Sequence, residues 1–315
     1  MNKKKRQKIL VTGGSGFIGS AITNYLVENG HSVTVFDNNS RGKLRRLSGV
    51  LSKIKFKKGD IRDYNKLKSI SGNFDTVIHL AFVNGTKFFY KKPFDILDIA
   101  ANGLLNILKF SKEKKVKNFY LASSSEVYQN PLQFPTDEKE MLKIPDIHNP
   151  RYSYGGGKIF SELYGIHFAK KYFKKFIIFR PHNVYGKDMG NDHVIPEFIN
   201  RFKKIGSKKK FLIYGTGNEI RSFVYIDDFI NGFDKLFQKG KNQEIYNIGT
   251  SEKVKISQLA KSIAVILKKQ IKLSRTKLLK GSPSKRCPNI KKIKKLGFQQ
   301  KISLREGLKK IIFND

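Results

Sequence analysis

The sequence predicts an α/β chain: a doubly wound parallel sheet with a smaller mixed α/β C-terminal lobe. Three observations predict it. Short β-branched apolar runs alternate with amphipathic helical stretches up to residue 180, the rhythm of a parallel sheet covered on both faces. A glycine-rich turn, VTGGSGFIG, closes the first of these runs and opens the first helix. After Arg180 the segments become shorter and irregular.

The elements follow in order. KILVTGG is the first strand and FIGSAITNYLVENG the helix that answers it. SVTVFDN, KIKFKKGDI and TVIHLAF are the second, third and fourth strands. DILDIAANGLLNILKFSKE is a long helix, and NFYLASSS is the fifth strand. A second long helix follows Tyr152, then FIIFRP as the sixth strand. HNVYGKDMGNDHVIPEFINRFKKIG, the short strand FLIYGTG and SFVYIDD break the pattern. IDDFINGFDKLFQKG returns as a helix of the first domain and leads into EIYNIG; SQLAKSIAVILKK is a later helix, before a basic tail. The expected division is 1–180 plus 223–248 for the sheet domain, and 181–222 plus 249–315 for the smaller lobe.

The 315 residues are 39% hydrophobic, enough for a substantial core. No apolar run approaches the length of a membrane-spanning helix, and no apolar stretch of the secretory type precedes the first glycine turn. The single cysteine, Cys287, rules out an intrachain disulfide and fits a reducing cytoplasm. The six histidines lack metal-ligand spacing, so no metal is expected. The formal net charge is +38. One reading is a nucleic-acid or anionic-membrane partner. The other is a lysine-rich composition spread over the exposed faces. The basic residues occur in many separate segments rather than one block, which favours the second. Neither nucleic acid nor membrane is expected as a partner, although the excess is compatible with anionic substrates.

Gly13, Gly16 and Gly19 are spaced as a dinucleotide loop requires. Gly13 makes the tight turn, Gly16 lets backbone approach a pyrophosphate, and Gly19 lets helix pack on strand. The helix N-terminus then offers free N–H groups and partial positive charge to the phosphates. Asp37 ends the second strand, where a carboxylate accepts ribose hydroxyls and repels a 2′-phosphate. The expected cofactor is NAD, although Arg41 close behind can pair with a 2′-phosphate. Asp60, after the third strand, either binds the adenine amino group or caps a helix.

Tyr154 and Lys158, at i and i+4, share one helix face. A phenol is a poor base at neutral pH. Lowering its pKa by about 3 units takes roughly 4 kcal/mol, within reach of close cations in a cleft. The phenolate can then take a proton from a sugar hydroxyl while NAD takes the hydride. The serines of LASSSEVY fall at the carboxyl edge of the sheet, where ligands bind in such folds. Three glycines, Gly155, Gly156 and Gly157, separate Tyr154 from Lys158, each costing about 1 kcal/mol relative to alanine. They are expected to let cofactor, substrate or a packed helix come close, so that leucine at position 156 impairs activity or assembly.

With these residues placed, the sequence resembles the extended short-chain dehydrogenase/reductases that modify nucleotide sugars. TGGSGFIG, the Asp37 turn, HLA at 79–81, SSSEVY, YSYGGGK, RPHNVYG, IRSFVYIDD and NIG at 247–249 match in order over essentially the whole chain. The resemblance implies a Rossmann-type sheet domain and a C-terminal substrate lobe. It implies Ser124, Tyr154 and Lys158 as the catalytic triad. NAD would lie against Gly13, Gly16, Phe17, Ile18, Gly19, Asp37, Asn38, Asp60, Ile61, Leu80, Ala81, Asn102, Tyr154, Lys158 and Pro181. A nucleotide-diphosphate sugar would meet Asn84, Thr86, Ser124, Ser125, Asn183, Arg221 and Arg286, the two arginines clamping the diphosphate. It also implies a homodimer, through the tyrosine-bearing helix and the helix over 94–112. Three glycines after the tyrosine, where the family often has one, are a departure.

The shared first step is oxidation at sugar C4. Return of hydride to the other face gives 4-epimerisation. Removal of the C5 proton and loss of the C6 hydroxyl gives a 4,6-dehydratase, and a C6 carboxylate would be lost as carbon dioxide. The flanking blocks resemble bacterial sugar epimerases, and 4-epimerase is the expected activity. Glu126 resembles the glutamate of dehydratases and decarboxylases, where a carboxylate can act as base at C5; it can equally be a structural hydrogen-bonder. A non-catalytic NAD-binding regulatory protein is the alternative from another class.

Overall fold

The computed structural model describes residues 6–205, 209–277 and 281–313. Seven strands form one parallel sheet: β1 (Lys8–Thr12), β2 (Ser32–Asp37), β3 (Ile54–Lys58), β4 (Thr76–His79), β5 (Asn118–Ala122), β6 (Lys175–Pro181) and β7 (Glu244–Ile248). Their order is β7-β6-β5-β4-β1-β2-β3. The chain reverses direction across the sheet between β1 and β4, so the crevice at their carboxyl ends is the natural ligand site.

Alternation along β1 explains the layers. Ile9 and Val11 join one core with Ile22, Val35, Phe179, Phe229 and Phe233. Leu10 points into the opposite core with Val77, Ile107, Leu108, Phe119 and Phe176. The first layer is covered by helices α1 (Phe17–Glu28) and α5 (Ile226–Lys239). The second is covered by α2, which runs Pro93–Asp98, through a π turn at Ile99–Gly103, to Leu104–Glu113, and by α3 (Ser153–Tyr172). EIYNIG is the seventh strand, pairing Tyr246 with Phe179 on β6.

A third core gathers Ile195, Phe198, Phe202, Phe211, Ile263 and Leu308. It lies among α4 (Val194–Lys204), α6 (Ile256–Ile266) and α7 (Leu304–Phe313). Strand Lys209–Ile213 pairs there with Ile271–Arg275. Phe202 stacks on Phe211 at 3.9 Å between ring centroids. Among the described residues, no helix is long and apolar enough to cross a membrane.

Candidate active site

A cavity of about 760 Å³ opens along the carboxyl edge of the sheet and reaches the third core. At one end stands the glycine turn. Gly13 has φ +75°, and a Cβ there would lie 2.6 Å from the Ala81 nitrogen. A Cβ on Gly19 would lie 2.0 Å from the Gly13 carbonyl oxygen. Helix α1 starts at Phe17 with no side-chain cap, which leaves the N–H groups of its first turn for an anion. Asp37 is buried at the end of β2, where it accepts N–H bonds from Ser15 (3.0 Å) and Asn39 (2.8 Å). Phe17, Ile18, Asn38, Asp60, Ile61, Leu80, Ala81 and Pro181 all line the same cavity.

Three details differ from, or decide between, the sequence expectations. Asp60 does not cap the short helix Tyr64–Lys68; Asp63 does. Instead, Asp60 is bound by Arg62 (2.9 Å) and Asn38 (3.0 Å). The Arg62 bonds, chiefly, hold its carboxyl at about 2 against the upward push of burial. Arg41 is paired with Asp192 at 2.8 Å, and its guanidinium lies 4.6 Å from the Phe88 ring centroid, so it is not held ready for a 2′-phosphate. Asn102 does not line the cavity; it is exposed and donates to Asp98 at 2.5 Å. It lies in the π turn of α2, whose wider spacing breaks the ordinary helical register.

At the reacting end, Tyr154 is buried in the first turn of α3. Its ring stacks on Phe89 at 4.9 Å and meets the edge of Phe82 at 5.1 Å. The Ser124 hydroxyl, which accepts the Glu126 N–H at 3.2 Å, lies beside its phenol and favours the phenolate. Lys158 donates to the Ala122 carbonyl at 2.7 Å, and its ammonium lies 3.9 Å from the Phe82 ring centroid and 5.9 Å from that of Tyr154. Burial lowers Lys158 to about 7, with Glu162 opposing. The sequence led us to expect a phenol lowered by the lysine together with the positive nicotinamide ring of the cofactor. Burial raises the Tyr154 phenol above its ordinary value, and the Ser124 hydroxyl only partly opposes this. The ammonium is turned toward Ala122, and further stabilisation of a phenolate has to come from a bound cation.

The glycines of α3 divide the crowding unequally. A Cβ on Gly155 would meet Gln129 Nε2 at 2.4 Å and the Glu126 carbonyl oxygen at 2.9 Å. On Gly157 it would meet the Ala100 methyl at 2.8 Å. On Gly156 it meets only the tip of Ile144, at 3.1 Å. The close approaches are thus to the loop after β5 and to α2.

Glu126, on that loop, is held by two bonds from Arg286, at 2.6 and 2.9 Å. Burial pushes its carboxyl up, but Arg286 and Arg151 together bring it to about 2. Arg221 donates to the carbonyls of Ile220 and Pro283, each at 2.9 Å. Burial, and then Arg286, lowers it to about 10. Asn84, Thr86, Ser125, Asn183, Arg221 and Arg286 all border the cavity. The Asn183 amide donates to the Ser222 carbonyl at 2.8 Å. Sequence reasoning missed Arg151, which is buried in the cavity wall 3.9 Å from Glu126. Its place three residues before Tyr154, one helical turn away, was the available signal. The aromatic seat of Phe82 and Phe89 was also missed, since no spacing links those residues to Tyr154.

The glycine turn, the β2 carboxylate and the Ser-Tyr-Lys group on one cavity define a dinucleotide-dependent enzyme fold. Residues 9–249 match the model of the NAD-dependent epimerase/dehydratase family, and the chain belongs to that family. It is 31% identical over 309 residues to a putative UDP-glucose 4-epimerase of Methanocaldococcus jannaschii, covering 96% of this chain and 97% of the relative. It is 33% identical over 273 residues to a dTDP-D-glucose 4,6-dehydratase of Dictyostelium discoideum, covering 82% of this chain but only 61% of that relative's length. Among solved structures, it is similar to a UDP-glucose 4-epimerase of Thermotoga maritima determined with UDP-glucose. The identity there is 32%, the TM-score 0.87, and 97% of each chain is covered. NAD is the cofactor of this enzyme family, and the uncapped helix, the glycine cradle and the Asp37 carboxylate fit it.

Proposed function

We propose that this chain is a nucleotide-sugar 4-epimerase acting through a transient 4-keto sugar. Tyr154 is the proton acceptor and donor at the C4 oxygen, Ser124 hydrogen-bonds that oxygen, and Lys158 supplies positive charge behind the phenol. NAD, when bound, takes up and returns the hydride. Arg221 and Arg286 face the substrate diphosphate. Residues 1–180 with 223–248 are assigned to the cofactor domain and 181–222 with 249–315 to the substrate domain, with the correction that Ile290, Ile293 and Phe298 pack in the core of the sheet and belong with the cofactor domain.

The observation that carries epimerase over dehydratase is the state of Glu126. A carboxylate bound twice by a buried arginine and held at about 2 is a poor base for a C5 proton. Without that base, a keto sugar that carries no C6 carboxylate has one easy exit: turning over and accepting hydride on its other face. The 4,6-dehydratase reading keeps one support, that Glu126 borders the cavity beside Tyr154.

We also propose that the chain works as a homodimer in the cytoplasm. Phe94 and Leu97 on α2, and Phe160, Leu163 and Tyr164 on α3, are large exposed apolar groups on two helices packed against each other. Incubation with a panel of nucleotide sugars, followed by NMR of the products, tests the activity. A C4 stereoisomer is expected. A 4-keto-6-deoxy sugar, or a pentose with released carbon dioxide, would replace this reading with dehydratase or decarboxylase.

A further inference from the structure

We infer that the buried Glu162–Arg180 ion pair is a positioning device for Lys158, holding the lysine charged and fixing α3 against the loop that carries Ser124. The inference rests on the reading of Lys158 as a member of the triad. Tyr154, Lys158 and Glu162 recur every four residues on α3 and so share one face. Arg180 is the penultimate residue of β6, immediately before the cavity residue Pro181. It donates to the two Glu162 oxygens at 2.8 and 2.5 Å. It also donates to the Tyr128 hydroxyl at 2.7 Å and to the Glu138 carbonyl at 3.2 Å. Tyr128 ends the short helical turn that Ser124 caps, and its hydroxyl donates to Asn247 on β7 at 2.7 Å. One guanidinium therefore ties the helix of Tyr154 and Lys158 to the loop of Ser124.

Arg180 is 1% exposed and Glu162 3%. A pair this dry adds little stability over apolar side chains of the same volume, so its use must be sought in what it does to its neighbours. The groups facing Lys158 can be named. From its own helix come Tyr154 and Glu162. From β4 comes His79, kept neutral by burial and by Lys158 itself, at about 3. From β5 comes the Ala122 carbonyl, and from the loop after β4 the Phe82 ring. Glu162 is the carboxylate that opposes proton loss from Lys158. Arg180 binds both oxygens of that carboxylate and holds it still.

The test is the pH profile of turnover for the NAD-loaded enzyme, with phenolate absorbance as a second readout. The absorbance is taken as the difference from Tyr154→Phe in the same background. In Glu162→Gln the alkaline limb is expected to move down by about one unit, as loss of a nearby opposite charge requires, and the Tyr154 phenolate to form at higher pH. Glu162→Asp should restore part of both. If Glu162→Gln does not fold, the double variant Glu162→Gln with Arg180→Gln removes the lone buried charge and should show the same shift. Profiles of folded variants that superimpose on the parent would overturn the inference. The triad reading fails separately, if Lys158→Met retains full turnover.

Discussion

Arg286, from the short strand Lys285–Arg286, makes two hydrogen bonds to Glu126 on the loop after β5. Their side chains are 7% and 19% exposed. The pair staples the C-terminal part of the chain to the reacting edge of the sheet. It also has an acid signature. The folded Glu126 carboxyl sits at about 2, below its unfolded value of about 4.3. A depressed carboxyl contributes stability that is fully present above the unfolded value and is lost as pH falls toward the folded one. The contribution is about 3 kcal/mol. Denaturant unfolding followed from pH 7 downward should therefore show a loss between about pH 4.3 and 2. Glu126→Gln should flatten that part of the curve, and an unchanged slope would refute the assignment.

Tyr154→Phe removes one hydroxyl from a ring seated between Phe89 and Phe82. The seat is apolar, so the variant should fold. Turnover is expected to fall by roughly 10²–10⁴-fold, the usual contribution of a positioned acid–base group. Affinity for NAD should stay within a few-fold, measured by calorimetry. A regulatory NAD-binding protein would instead lose little function on this change.

The two helices over Pro93–Glu113 and Ser153–Tyr172 leave Phe94 76% and Leu163 60% exposed. If a second copy covers them, Leu163→Glu buries an unpaired charge at the contact. The expected outcome is a monomer by sedimentation, with an unaltered far-ultraviolet spectrum. A wild-type chain that is already monomeric at micromolar concentration would remove the homodimer proposal.

Much of this architecture was legible because its signals are local and periodic. Strands such as KILVT and SVTVFD are buried on both faces, so they read as continuous apolar runs. Gly13, Asp37 and Tyr154 sit at strand or helix ends, where the parallel sheet brings its carboxyl edge to one crevice. What the sequence hid are pairings between distant segments. Nothing in SSSEVY announces that Glu126 will meet an arginine 160 residues later. Asn102 was placed by resemblance, but a π turn turns its side chain to the surface. The burial that raises the Tyr154 phenol and lowers Lys158 was also hidden, because desolvation depends on packing that no spacing encodes.

The three glycines after Tyr154 give the sharpest contrast between sequence and structure. Position 156, where leucine was expected to do harm, faces only the tip of the half-exposed Ile144. Gly156→Ala should therefore gain helix propensity, with the flexible Ile144 tip moving aside by a few tenths of an ångström, and stabilise the chain by about 0.5–1 kcal/mol. Gly157→Ala would bring a methyl to 2.8 Å from Ala100 and force α3 from the π turn of α2, costing about 1–3 kcal/mol. Gly155→Ala presses on the Glu126 carbonyl, which belongs to backbone and cannot swing aside. That loop also carries Ser124, so turnover should fall further than the loss of stability alone explains. Thermal melts and turnover on the three alanine variants check this order: 156 most stable, 157 least stable or near it, 155 least active for its stability. Three equal effects would mean that the glycines serve general helix packing and not these two contacts.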